Sequence, residues 1–214
     1  MRPYIIFDFD GTLVQSKALA IQLFNQLAAK YGGRSIRHEE IPALSDMSIP
    51  ERLKVLKVPA YKLPALLIEG KRKYKEEIVS LQPVNGIREV LSGLKEQGYT
   101  LGILSSNIEE NIHRFIDLHQ LDFFDHIHSA TNLFGKHKAL SSMTKKLGIT
   151  SDDILYIGDE LRDIQACKKI NAKVIAVAWG FDSPALLASS SPDFLCHTPE
   201  ELLLVDRIYE GILH

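Results

Sequence analysis

Asp8-Phe9-Asp10-Gly11-Thr12 closes an apolar run that begins at Tyr4. Side chains alternate in an extended chain, so Asp8 and Asp10 project to the same side, about 7 Å apart. Two carboxylates that close repel each other, which favours either a bound divalent cation or one shared proton. Gly11 permits a sharp turn directly afterwards. Further along, Ser105-Ser106-Asn107 offers hydroxyls, an amide and free backbone N–H groups just before a helical pattern, a seat for an anion. In Gly158-Asp159-Glu160-Leu161-Arg162-Asp163, Asp159 and Asp163 are four apart and share a face if the turn is helical. Lys136 supplies the one basic candidate. Each signal also has an ordinary structural reading: a turn for Asp-x-Asp-Gly, helix caps for Asp159 and Ser105, a solvated surface side chain for Lys136.

What gives these residues weight is where the elements place them. Short apolar runs at Tyr4 to Phe9, Thr100 to Leu104, His126 to Ser129, Ile154 to Ile157 and Val174 to Ala178, with a weaker one at Phe194 to Cys196, predict strands. Several are almost uninterrupted, the pattern of parallel strands covered on both faces. Helical periodicity separates them at Gly86 to Gln97, Glu109 to Leu118, Lys138 to Leu147 and Leu161 to Asn171, with Gly98 and Gly148 as left-handed C-caps. Thr198-Pro199-Glu200-Glu201 reads as a capped start to a last helix reaching about Tyr209. The expected fold is α/β, a doubly wound, Rossmann-like parallel sheet. Ligands bind beyond the carboxyl ends of strands in such sheets, where all the candidate residues fall. From Ser16 to Leu81 the patterns are helical throughout (Ala18 to Tyr31, Pro50 to Leu56, Leu63 to Val79). The expected organisation is therefore a core of residues 1–15 and 82–214 with an all-helical insert, 16–81, after the first strand.

The chain has 214 residues, with 25 Lys+Arg against 27 Asp+Glu for a formal charge of −2, and is 45% hydrophobic. That is globular composition, large enough for one domain with an insert. Near-neutral charge argues against nucleic acid as a partner, and no run approaches the roughly 18 apolar residues of a membrane span. The start of the chain runs too soon into Asp8 for a secretory signal, so a cytoplasmic location is expected. Cys167 and Cys196 stand apart and read as reduced, interior thiols. The chain is expected to be a monomer or weak homodimer.

In their order, Asp8-Phe9-Asp10-Gly11-Thr12, Ser105, Lys136 and Gly158-Asp159 with Asp163 resemble the four motifs of the haloacid dehalogenase superfamily over nearly the whole chain. The helical insert resembles the cap of its phosphoglycolate-phosphatase-like and β-phosphoglucomutase-like members. The resemblance implies a phosphatase of small phosphomonoesters, its partner a small phosphorylated metabolite, with Asp8 as nucleophile forming an aspartyl-phosphate and Asp10 as general acid and base. It implies Mg2+ held by Asp8, the Asp10 backbone carbonyl and Asp159, with Asp163 supporting. Lys136, Ser105 and Ser106 are implied at the phosphoryl oxygens, and Thr12 is expected to bind phosphate with them or to orient Asp8. Lys138 is an alternative to Lys136, since the proline pattern that follows the lysine in close members is absent. Glu160 reads equally as an outer carboxylate or a surface residue. Arg52, Lys54, Lys57, Lys71, Arg72, Lys73 and Lys75 could meet a second anionic group, but Glu51, Glu69, Glu76 and Glu77 favour solvated helix faces. Asp10 disfavours the dehalogenase branch. A sugar-phosphate mutase, a phosphonate hydrolase using an insert lysine, and a non-enzymatic phospho-receiver or ligand-binding module are the competing readings.

Overall fold

Apolar runs flanked by helical patterns become central strands because both of their faces can be covered. The computed structural model describes residues 2–130 and 135–209. Its strands β1 (Tyr4–Phe7), β2 (Thr100–Ser105), β3 (His126–Ser129), β4 (Ile154–Gly158), β5 (Lys173–Val177) and β6 (Phe194–Cys196) form one parallel sheet in the order β3-β2-β1-β4-β5-β6. β1 pairs with β2 on one side and β4 on the other, so the direction of winding reverses beside β1. The crevice that opens at such a reversal lies at the carboxyl ends of β1, β2 and β4.

Between β1 and β2 the chain forms α1 (Lys17–Ala28), α2 (Ile41–Ser45), α3 (Ile49–Val55) and α4 (Leu63–Glu77). α1 buries Leu19, Leu23 and Leu27 along one stripe. Leu19 and Leu23 join the core under the sheet, whereas Leu27 joins a separate small core with Leu44, Leu56, Val58 and Leu66. One helix thus anchors a second hydrophobic cluster to the first. The chain enters and leaves this helical segment side by side: the Gln15 N–H donates to the Gln82 carbonyl and the Val84 N–H to the Leu13 carbonyl, each at 2.9 Å.

The remaining helices are α5 (Ile87–Glu96), α6 (Glu109–His119), α7 (Lys136–Leu147), α8 (Leu161–Ile170), α9 (Pro184–Ser189) and α10 (Val205–Tyr209). Strand alternation divides the sheet between two clusters. Ile5, Phe7, Leu101, Ile103 and Ile157 meet Leu91 and Leu94 of α5 and Phe115 of α6, while Ile6, Leu104, Tyr156 and Val174 meet Leu140 of α7 and Ile164 of α8.

Several boundaries differ from those expected. β1 stops at Phe7, because the Phe9 carbonyl accepts the N–H groups of both Leu13 and Val14 and Gly11 takes φ +80°, which turns Asp8 and Asp10 out of the strand. α7 starts at Lys136 rather than Lys138. The final segment is a 3-10 turn over Pro199–Leu204 followed by α10, and Thr198 makes no side-chain cap; the Glu201 carboxylate instead accepts the His197 N–H at 3.2 Å. Cys167 and Cys196 are buried and free, as expected. Among the described residues no helix is long and apolar enough to cross a membrane.

Candidate active site

The loop after β1 delivers Asp8 into a buried position, with one carboxylate oxygen accepting the Phe9 N–H at 2.8 Å and the other accepting Lys136 Nζ at 2.7 Å. Lys136 is the first residue of α7 and is only 2% exposed. Its ammonium also donates to Asp163 and lies 5.3 Å from the centre of the Tyr156 ring. Burial works against that charge, but Asp163 and Asp8 outweigh it and hold the lysine above its ordinary pKa. Lys138 is exposed, so Lys136 is the lysine that faces the aspartates, and the solvated-surface reading does not apply to it.

The loop after β4 brings a second group of carboxylates. Glu160 is the N-cap of α8, and its N–H donates to Asp163 Oδ2 at 3.2 Å. Asp163 lies over Gly158, where an added Cβ would sit 2.4 Å from Asp163 Oδ2. Asp8, Glu160 and Asp163 each offer an oxygen within 4.8 Å of the others'. This trio differs from the expected set of Asp8, Asp10, Asp159 and Asp163. Asp159 gives one oxygen to the Thr12 hydroxyl at 2.8 Å and the other to the Phe181 N–H at 2.7 Å. Thr12, expected to orient Asp8 or bind phosphate, thus orients Asp159. Gly11 and Gly180 make room for that carboxylate: a Cβ on either would fall within 2.2 Å of Asp159 Oδ2.

The electrostatics of this cluster point to a cation. Burial raises the pKa of both Asp159 and Asp163; the neighbouring carboxylates Glu160 and Asp8 raise Asp159 further, and Lys136 only partly offsets the rise at Asp163. Counted as ionised, Asp8, Asp159, Glu160 and Asp163 oppose Lys136 and Arg162, which pairs with Glu160. An all-oxygen, carboxylate-rich donor set suits a hard cation such as Mg2+.

Asp10 faces the other way, toward the helical segment. One of its oxygens accepts the Tyr74 hydroxyl of α4 and the other accepts Asn107 Nδ2 at 3.0 Å. Burial raises its pKa; the two donors work against this, and Asp8 adds to it. Ser105 is buried, and its hydroxyl oxygen accepts the Asn107 N–H at 3.1 Å. Ser106 is held through its carbonyl, which accepts Lys71 Nζ at 2.9 Å. Asn107 sits in a polar run that drew attention in the sequence without a role being given to it. Tyr74 carries no local signal, since only the packing of α4 over the rim brings it to Asp10.

Two sets of contacts hold the helical segment over this rim. α4 contributes Tyr74, Lys71 and Lys75, the last pairing with Glu110 at 2.7 Å. On the far side Arg52 pairs with the buried Asp182, and Lys17 Nζ donates to the Gly180 and Phe181 carbonyls at 3.0 Å. The basic residues of this segment, read as solvated helix faces rather than an anion patch, are largely committed: Arg52 and Lys75 as above, Arg72 to Glu76, and Lys73 to Gln26.

Known proteins resemble this chain over most of its length. The family model described as haloacid dehalogenase-like hydrolase matches residues 5–177. A phosphoglycolate phosphatase of Synechococcus elongatus is 32% identical over 200 residues, covering 93% of this chain and 94% of that protein. The pyrophosphatase PpaX of Listeria monocytogenes is 26% identical over 210 residues, covering 95% of each. Among solved structures, the haloacid dehalogenase-like family protein SP0104 of Streptococcus pneumoniae superposes with a TM-score of 0.79 at 22% identity, covering 96% of this chain and 98% of that one.

Proposed function

Because this chain belongs to the haloacid dehalogenase-like hydrolase family, we propose that it is a Mg2+-dependent phosphatase that hydrolyses a small-molecule phosphomonoester through an aspartyl-phosphate on Asp8. The observation that carries this reading is the buried meeting of Asp8, Lys136 and Asp163 beside Glu160, with Asp10 turned toward the space under the helical segment. The names of the two relatives support phosphate ester or anhydride hydrolysis as the reaction class.

An Asp8 oxygen attacks phosphorus in line as the bond to the alcohol oxygen breaks, and that oxygen takes the proton held by Asp10. A water then attacks the aspartyl-phosphate and gives its proton to Asp10, while the phosphorus–Asp8 bond breaks to release phosphate. Asp10 needs a raised pKa to hold the first proton, which desolvation at its half-buried position and the nearby Asp8 favour. Mg2+, held by Asp8, Glu160 and Asp163 with Asp159 behind them, would supply positive charge to offset the repulsion between carboxylate and phosphoryl oxygens. Lys136 and the N–H groups after Ser105 supply the remaining positive charge from the chain itself. The helical segment acts as a cap that keeps bulk water from the reacting atoms.

The test is hydrolysis of phenyl phosphate, followed as released phosphate. Turnover with Mg2+ that stops on chelation, and in Asp8→Asn, is expected. Steady turnover by Asp8→Asn would overturn the assignment. Isomerisation of a sugar phosphate faster than phosphate release would make the protein a mutase instead.

A further inference from the structure

A cavity of about 300 Å³ runs from Asp10 up between α1, α3 and α4. Asp10, Tyr74, Asn107 and Ser106 form its lower end, whereas Asp8, Lys136 and Asp163 are not part of its lining. A substrate whose phosphorus meets Asp8 and whose departing oxygen meets Asp10 would therefore direct its alcohol portion into this space. The walls are apolar, with Leu23 and Phe24 from α1, Leu53 from α3, and Leu66 and Leu67 from α4. Among the described residues, the charged groups that reach it are Asp10 and Lys71, and the Lys71 ammonium already donates to the Ser106 carbonyl. A second anionic group on the substrate would lose part of its water against leucine and phenylalanine side chains. An aliphatic or aromatic group would gain by leaving water.

Gly70 points the same way. It lies in the interior of α4 and lines the cavity, and glycine is a poor residue for a helix interior. Its φ is not in the left-handed region, and an added Cβ would meet nothing within 4 Å. Neither backbone conformation nor close packing requires glycine here; its effect is to leave space between the helices.

We propose, resting on the phosphatase reading above, that the preferred substrate is a monophosphate ester of an apolar alcohol, whose hydrocarbon part occupies the cavity that Gly70 keeps open. At roughly 30 Å³ per water-sized group, the space takes on the order of ten non-hydrogen atoms.

The experiment measures kcat/KM with Mg2+ for straight-chain alkyl phosphates from propyl to octyl, whose leaving alcohols have nearly equal acidity, and for phosphoglycolate and pyrophosphate. Expected is a rise of up to about fourfold per added methylene until the cavity fills, with hexyl phosphate exceeding phosphoglycolate and pyrophosphate at least tenfold. Gly70→Leu is expected to lower the octyl-to-propyl ratio tenfold or more without lowering the thermal midpoint, a combination that general damage to the fold would not produce. A chain-length profile that is flat, or a preference for phosphoglycolate or pyrophosphate, overturns this inference and leaves the phosphatase reading standing. Absence of turnover on every ester, phenyl phosphate included, overturns the phosphatase reading and this inference with it.

Discussion

Replacing Lys136 with methionine keeps a long side chain but removes the ammonium shared by Asp8 and Asp163. All three side chains are almost wholly buried, at 3%, 2% and 0% relative exposure, so water cannot take over the lost role. Breaking a buried pair by removing one partner typically costs about 3–5 kcal/mol. In a chain of this length each kcal/mol moves the midpoint of thermal unfolding by about 2–4 °C, so the variant should melt about 6–20 °C below the parent in chelator. Mg2+ would compete with the ammonium for the same carboxylates in the parent but not in the variant, so adding it should raise the variant's midpoint more than the parent's. Circular dichroism melts in chelator and in saturating Mg2+ measure both effects. Lys138→Met, at an exposed position in the same helix, is the control and should stay within about 0.5 kcal/mol of the parent. A Lys136→Met midpoint within 3 °C of the parent in chelator would show that the aspartates do not depend on the lysine, and the electrostatic account of the site would fail.

Other perturbations probe the same frame. Tyr74→Phe removes a hydrogen bond that lowers the Asp10 pKa, so that pKa should rise; the alkaline limb of kcat, where Asp10 loses the proton it must donate, should move to higher pH. An unmoved limb in the kcat–pH profile would separate Asp10 from that step. Gly158→Ala drives a methyl group into the Asp163 carboxylate, and overpacking of this kind costs about 1–3 kcal/mol; thermal unfolding should show the loss, and phosphate-release assays should show turnover falling as Asp163 is pushed off Lys136. Arg52→Leu removes the ion pair of the buried Asp182 and leaves the Leu161 N–H as its hydrogen-bond partner among the described residues, and chemical denaturation should show a loss of about 1–3 kcal/mol.

Chemical type and chain order were readable at the start: an aspartate pair closing the first apolar run, a serine cluster closing the second, a lysine and an aspartate-rich turn at the ends of later ones. Local periodicity determined these features, because a strand buried on both faces requires continuous apolar sequence and the turn after it is where polar groups can stand. The same periodicity placed the helical segment between β1 and β2. Which carboxylates share a space was decided only in three dimensions. Asp159 and Glu160 are adjacent in the chain, yet the Thr12 hydroxyl and the Phe181 N–H fix the Asp159 carboxylate, while Glu160 offers an oxygen within 4.8 Å of Asp8 and Asp163. Lys136 and Lys138 are equally basic in sequence, and only the starting point of α7 buries one and exposes the other. Tyr74 reaches Asp10 across 64 residues of chain because α4 packs over the sheet rim. Partnerships of this kind depend on the docking of elements distant in sequence, and no local pattern encodes the direction in which a side chain will point once they have docked.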